Sequence, residues 1–411
     1  METAPLSRPQ QILAGSQMLF VAFGALVLVP LLTGLSVSVA LFTAGIGTLI
    51  FQLITRRQVP VFVASSFAFI APISAGVGQW GIADTMGGLM AAGLVYVLLS
   101  QMARVGGVAA INRVLPPVVV GPVIMVIGLA LAPVAVAMAL GFEGETQVVD
   151  TTTALMVALP TLLTALLVST LAKGMLRLLP ILCAICVGYS LSLMFDLVDF
   201  SSVRAAAWLA LPDFTAPSFN WQAILFMIPV AIAPAVEHIG DMVAISNVTG
   251  KNYIKKPGLH RTLLADGIAT TAAASFGGPP NTTYSEVTGA VMLTKNYDPR
   301  VMTYGACFAI LLAMVGKFGA LLMTIPTVVM GGVMILLFGS IAAVGLNTLI
   351  KNQVDLGEGR NLVIVAVTLV FGIGGMVLPF GDFKLEGIAL CAITAIVLNL
   401  VLPKASAHKR A

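Results

Sequence analysis

Long apolar runs separated by short polar stretches dominate the chain. With about 20 apolar residues needed to cross a hydrocarbon core, the pattern predicts fourteen spans, at 12–33, 37–55, 61–77, 85–103, 117–140, 152–172, 178–197, 221–247, 262–276, 284–294, 301–320, 327–349, 361–379 and 385–402. Two of them are interrupted. The third carries Gln58-Val-Pro-Val-Phe-Val-Ala-Ser-Ser-Phe-Ala-Phe69, where Pro and β-branched residues favour a short extended stretch over Val59 to Val63. The tenth opens out of Gly277-Gly278-Pro279-Pro280-Asn281-Thr282-Thr283-Tyr284-Ser285-Glu286. The predicted fold class is an all-α polytopic membrane protein with the third and tenth segments broken by short extended stretches.

Seven spans per half start the second half on the opposite side of the membrane from the first, which is the plan of an inverted repeat. The predicted boundaries are 1–198 for the first repeat, 199–220 for an external connecting loop, 221–403 for the second repeat and 404–411 for a cytoplasmic tail. Paired broken segments point helix ends and backbone N–H groups at one another across a cavity. The N–H groups near Phe67 and Ser285 are the expected donors.

Charge tests the span count independently. Starting from a cytoplasmic N-terminus and alternating, Arg8, Arg56, Arg57, Arg104, Arg113, Lys173, Arg177, Lys251, Lys255, Lys256, Arg261, Lys295, Arg300, Lys351, Arg360, Lys404, Lys409 and Arg410 all fall on the cytoplasmic side, as short inner loops require. Only Arg204, Lys317 and Lys384 do not, and a single missed span would invert everything after it. Both termini are thus expected in the cytoplasm. The opposite loops are acidic, with Glu143, Glu145 and Asp150 in one, Asp196, Asp199 and Asp213 in another, and Asp382 with Glu386 in a third. A composition of 59% hydrophobic and 9% charged residues, with a mean hydropathy of +1.04, excludes a soluble domain. The net charge of +4 reflects the inner-loop bias and implies no nucleic-acid partner. Met1 to Gln11 shows no cleavable signal, so the first span is expected to act as its own insertion signal.

Against that apolar background stand Glu237, Asp241, Asp266 and Glu286. A carboxylate at mid-bilayer depth costs about 2.5 to 3.5 kcal/mol on insertion scales, and irregular backbone survives there only when protein or a cavity covers it. Glu237 and Asp241 are four apart and share a helix face. Glu237, Glu286 and Asp241 are read as functional. Asp266, a few residues past His260-Arg261, reads as a first-turn acid near the cytoplasmic interface, and His238 as a packed ring. Cys183, Cys186, Cys307 and Cys391 all lie in apolar runs; Cys183-Ala-Ile-Cys186 has redox spacing but no further ligand nearby, so these read as small packing residues. No metal cluster, nucleophile elbow or phosphate loop is visible, so neither an enzyme nor a cofactor is expected.

Five runs carry a resemblance: Phe23-Gly-Ala-Leu-Val-Leu-Val-Pro30, Ala64-Ser-Ser-Phe-Ala-Phe-Ile70, Glu237-His-Ile-Gly240, Pro257-Gly-Leu-His-Arg261, and Pro280-Asn-Thr-Thr-Tyr284 followed by Glu286. In this order and nearly end to end, the chain resembles the nucleobase/ascorbate transporter family, and within it the bacterial uracil permeases. The resemblance implies a seven-plus-seven inverted repeat with a core domain that holds the base and a gate domain, a homodimer, and proton-coupled uptake at the bacterial cytoplasmic membrane. It also implies that Glu237 and Glu286 grip the base, that the N–H groups of Phe67 and Ser285 meet its carbonyls, and that Ala25 and Tyr284 line the pocket. The chemistry agrees: uracil places imide N–H donors between carbonyl acceptors on a flat ring.

Two departures stand out. Asp241 occupies a position where related uracil permeases can carry a His linked to proton coupling, so if coupling uses this position a carboxylate carries the proton here. The family signature after the position of Glu286 has Asn where this chain has Val287, whereas Gly289, Thr294 and Lys295 match. Asp241, Glu237 and Glu286 are the proton-coupling candidates, because several carboxylates in one dry pocket do not all stay ionised cheaply. Alternatives are a xanthine or other purine symporter, a sodium-coupled carrier and an anion carrier of the same architecture; the acids, with no Lys or Arg in a span near the broken segments, argue against the last.

Overall fold

The computed structural model describes residues 7–380 and 383–403; the predicted tail 404–411, with His408 and its basic residues, Met1 and Asp382 lie outside the described residues. In chain order the first half contains α1 (Arg8–Thr33), α2 (Val37–Ile54), β1 (Val63–Ser65), α3 (Ile70–Val114), α4 (Pro117–Ala130), α5 (Ala132–Ala139), β2 (Phe142–Glu143), β3 (Thr146–Gln147), α6 (Thr151–Leu171), α7 (Pro180–Met194) and α8 (Ser201–Ala205). The second contains α9 (Trp221–Met227), α10 (Ile232–Thr249), α11 (Leu259–Ser275), β4 (Asn281–Thr283), α12 (Ser285–Thr294), α13 (Arg300–Ala313), α14 (Gly316–Met323), α15 (Thr327–Lys351), α16 (Gly359–Ile373), β5 (Val377–Phe380), β6 (Phe383–Glu386) and α17 (Gly387–Val401). This is a helical polytopic membrane-type fold. Among the described residues, seven helical stretches are long and apolar enough to cross a membrane, and α7, α13, α16 and α17 are shorter apolar helices.

The helix breaks have local causes. Gly81 (φ 81°) interrupts α3, a backbone region that costs glycine no Cβ clash. The predicted span at 301–320 divides into α13 and α14, with Met314 N bonded back to Leu311 O and Val315 extended between them. The predicted extended stretch at Val59 to Val63 is displaced: the strand is Val63–Ser65, while Gln52 Nε2 holds the preceding loop by donating to Val59 O at 3.0 Å and Val61 O at 3.1 Å.

β1 and β4 pair antiparallel in the register Val63↔Thr283, Ala64↔Thr282 and Ser65↔Asn281. Every residue of both strands is buried, so side chains must satisfy what two short strands leave open. Thr48 Oγ1 does so for Val63, accepting its N–H and donating to its carbonyl, each at 3.0 Å. Asn281 Nδ2 donates to Thr43 O at 3.0 Å, beside Gly47, where any Cβ would strike the Asn281 amide. Thr270 Oγ1 donates to Asn281 O at 2.9 Å. The strand pair is thus clamped between α2 and α11. Around it α1, α2, α11 and α13 pack together, while α15 packs against α4, α5 and α6.

Outward-facing Leu94, Leu98, Leu159, Leu163, Leu311, Leu362 and Leu400 are exposed, as bilayer contact demands. Cys186 and Cys307 are exposed as well, which corrects their reading as packing residues; Cys391 is buried, and all four thiols are free. The loop 199–220 contains a short helix and is tied at several points, with Thr215 N donating to Phe276 O at 3.3 Å, Ser218 N to Ala83 O at 2.9 Å and Lys317 Nζ to Val203 O at 2.8 Å.

Candidate substrate site

The site forms where the two strands end. β1 runs into a single 3-10 turn over Phe67–Phe69 and then α3, and β4 runs into α12, so two helical starts follow directly from a paired pair of strands. Glu286 stands in the first turn of α12, where the positive end of the helix dipole favours a carboxylate. Glu237 lies in the middle of α10. Glu237, Ser285 and Glu286 are all accessible, although Pro234, Ala235, Tyr284 and Val287 around them are buried. Accessible acids in such surroundings face an internal opening. A 220 Å³ cavity supplies one for Glu286, walled by Ala25 and Val21 of α1, Ala165 and Ser169 of α6, Pro180 and Leu182 of α7 and Val333 with Ser340 of α15.

Of the sequence-predicted residues, Ala25 and Glu286 line this cavity; Glu237, Phe67, Tyr284 and Ser285 do not. Tyr284 is buried and serves as a brace, its hydroxyl donating to Ser65 O at 2.6 Å and its ring lying 6.3 Å from that of Phe67 at 13° between planes. It thereby joins the ends of the two strands. Phe67 is half-buried at the head of its turn. Asp241 is buried and accepts two hydroxyl hydrogen bonds, from Thr283 Oγ1 at 2.7 Å and Ser285 Oγ at 2.6 Å. Asp241 therefore fastens α10 to the β4–α12 junction on either side of Tyr284. The sequence pairs Asp241 with Glu237 by helical spacing, but its link to Thr283 depends on the strand pairing and leaves no sequence signal.

Behind Glu237 lies a second polar group that sequence reasoning misses. Asp266 is not an interfacial first-turn acid: it sits well inside α11, fully buried, with Oδ2 3.4 Å from Nδ1 of the equally buried His238. His238 is a packed ring, tilted 62° against Phe51. Neither imidazole nitrogen nor either Asp266 oxygen has a hydrogen-bond partner, and the Tyr96 hydroxyl of α3 is likewise buried without one. Tyr96 reaches this place because α3 crosses α11 at Gly267, where a Cβ would lie 2.7 Å from that of Tyr96. Among the described residues no group of three or more metal-ligating side chains occurs.

Comparison with known proteins settles the family. Residues 9–381 match the model of the Permease family named for xanthine and uracil carriers. The chain belongs to the nucleobase/ascorbate transporter family. Members of that family are transporters rather than enzymes. A probable uracil permease of Pasteurella multocida is 60% identical over 396 residues, covering 96% of this chain and 94% of that protein. The uracil permease of Bacillus caldolyticus is 48% identical, covering 96% and 92%, and that of Escherichia coli K12 is 38% identical, covering 98% and 91%. Solved structures extend the likeness at the level of fold. The transmembrane domain of the cyanobacterial bicarbonate transporter BicA superposes with a TM-score of 0.67 at 16% identity, covering 95% of this chain and 96% of that one. Murine Slc26a9, an anion transporter in its inward-facing state, gives 0.71 at 10% identity, covering 97% and 69%. Family membership makes the chain a multi-pass membrane protein.

Proposed function

We propose that this chain is a secondary transporter that imports a nucleobase, uracil first, with protons, across the bacterial cytoplasmic membrane by alternating access. The observation that carries the reading is the pair of accessible carboxylates, Glu237 and Glu286, in a chain 38% to 60% identical to relatives named uracil permeases. Glu237 and Glu286 accept the imide N–H groups of the base. The N–H groups at Phe67 and Ser285, heading their helical turns, donate to its carbonyls, and Ala25 gives the ring a small apolar wall. A ring lacking one of these groups leaves a site residue unpaired, at a cost of about 1 to 3 kcal/mol, which is the basis of selectivity.

Fourteen spans in a seven-plus-seven inverted repeat, with both termini cytoplasmic, are the architecture that suits this function, and the antiparallel pairing of β1 with β4 supports it. The strand pair and its clamping helices form the core, α4 to α7 and α15 to α17 the gate, and the protein works as a homodimer. Protons travel on the carboxylates: Glu237, Glu286 or Asp241 is neutralised as the neutral base arrives, and the loaded core then moves past the gate. The acids disfavour an anion cargo despite the anion-carrier neighbours in fold.

The test is uptake of labelled uracil into proteoliposomes under an inward proton gradient. Gradient-driven uptake competed by excess uracil is expected. Accumulation that survives a protonophore but needs sodium removes proton coupling, and uptake of xanthine alone moves the substrate to the purines.

A further inference from the structure

The 220 Å³ cavity beside Glu286 shares one side chain with a second hollow of 370 Å³, and that side chain is Leu178. The second hollow is bordered by Lys173 and Arg177 on one side and by Gly289 and Met292 of α12 on the other. Its basic rim belongs to the end of the molecule assigned to the cytoplasm. Leu178 closes a short 3-10 turn, Gly174–Leu178, that joins α6 to α7. The turn is entered through Gly174 in the left-handed region (φ 64°) and Leu179 N bonds back to Leu176 O at 3.0 Å, so its conformation belongs to the turn itself rather than to either helix.

From this turn Leu178 reaches across to α12. A Cβ placed on Gly289 would lie 3.2 Å from Leu178 Cδ2, which puts the leucine methyl on the α12 backbone one helical turn beyond Glu286. No polar atom of this side chain offers water or a base a foothold, and a branched apolar side chain at a constriction is a barrier by dewetting. We infer that Leu178 is the inner gate of the substrate cavity: its side chain separates the compartment at Glu286 from the basic hollow, and displacement of the 3-10 turn opens one to the other. The inference rests on the transporter reading for its purpose but not for its test. A 3-10 turn held by few bonds moves at lower cost than a packed helix, so release of the base toward the basic rim needs a local motion of Gly174–Leu178 rather than a shift of the whole α6–α7 pair.

The test reads access to the cavity and not transport. In the full-length chain with Cys183, Cys186, Cys307 and Cys391 replaced by Ala, Glu286→Cys is the reporter, and its reaction rate with a small charged methanethiosulfonate is measured in detergent. Leu178→Ala is expected to raise the rate, and Leu178→Trp to lower it, by at least about tenfold between the two. Leu178→Phe, closer in volume, falls on the slow side and serves if the Trp chain does not fold. Equal rates for Ala, Leu and the bulky variants overturn the gate. Because the reporter itself replaces a proposed base ligand, uptake is read in the parent chain with Glu286 intact: rates that follow residue 178 in the reporter, together with no uptake of base by the parent, would refute the transport reading and leave the barrier standing.

Discussion

The two sides of α10 carry similar chemistry and opposite fates. On one side Glu237 opens to an accessible space, as Glu286 does on α12; on the other, one residue along, His238 is sealed against Asp266 with no exposure at all. Each group sets an acid within apolar helices, Glu237 on α10 itself and Asp266 on α11 facing His238. What separates them is the neighbour that covers them: the open side meets β4 and the start of α12, whereas the sealed side meets α11 and α3, drawn close at Gly267. Acids on the open side are free to meet a ligand. Acids on the sealed side are committed to their partner, and their loss is felt by the fold.

The largest effect is therefore expected on the sealed side. Asp266→Ala leaves His238 buried without the carboxylate that faces its Nδ1, and breaking a buried pair by removing one member costs about 3 to 5 kcal/mol. Thermal unfolding in detergent should show a large drop. The double substitution His238→Leu with Asp266→Leu removes both polar groups and should recover most of the loss; a single variant with unchanged stability would mean that the pair contributes nothing to holding α10 on α11.

Glu286→Gln acts on the open side, and its signature is inverse. An amide at this position loses an acceptor for the base and any proton-carrying role, worth about 1.5 to 3 kcal/mol, so uracil uptake should fall about 10- to 100-fold while the unfolding temperature stays near that of the parent. Glu237→Gln should behave alike. If instead Glu286→Gln unfolds the protein and keeps its uptake per folded molecule, the contrast between the two sides fails.

Asp241 lies between the extremes, because it is buried but bridges to the site. In Asp241→Asn one carboxylate oxygen becomes an NH2 group, so either the Thr283 or the Ser285 hydroxyl loses its acceptor, at about 1 to 3 kcal/mol. Both stability and uptake should decline together. Thr283→Val, which removes a hydroxyl from a bond whose other partner keeps Ser285, should reproduce a smaller part of the stability loss. A pure loss of proton dependence in Asp241→Asn, with unchanged unfolding, would assign it to coupling alone.

The apolar runs and the inner-loop cations are local signals, which is why the helical membrane fold and the ends of most helices are legible in the sequence. The placing of Glu237 and Glu286 among long apolar stretches also marks them in the sequence. Asp266 is misread because its distance from His260 and Arg261 suggests a helix start, whereas α11 begins at Leu259 and a crossing by α3, set by Tyr96 and Gly267, buries the acid. The Thr283 and Ser285 bonds to Asp241 escape for the same reason: they exist only once β4 has paired with β1. Cys186 and Cys307 escape because a cysteine's type does not tell which side of its helix faces the bilayer. Contacts between distant segments, not residue types, decide all of these.

The smallest effect tests how the open side is held together. Tyr284 is buried between the two carboxylate-bearing elements, and its hydroxyl donates across the strand pair to Ser65 O at 2.6 Å while its ring lies parallel to that of Phe67. Tyr284→Phe keeps the ring and removes only the bond, so the loss is that of one neutral hydrogen bond plus an unpaired buried carbonyl, about 1 kcal/mol. Uptake should keep its rate and lose some affinity for uracil, since the turn at Phe67 and the start of α12 are then joined by ring contact alone. Tyr284→Ala removes the ring as well and adds a cavity, at about 3 to 5 kcal/mol, which moves the effect from affinity to folding. If Tyr284→Phe instead abolished uptake at unchanged stability, the hydroxyl would belong to the ligand rather than to Ser65, and Tyr284 would line the pocket as the family resemblance implies.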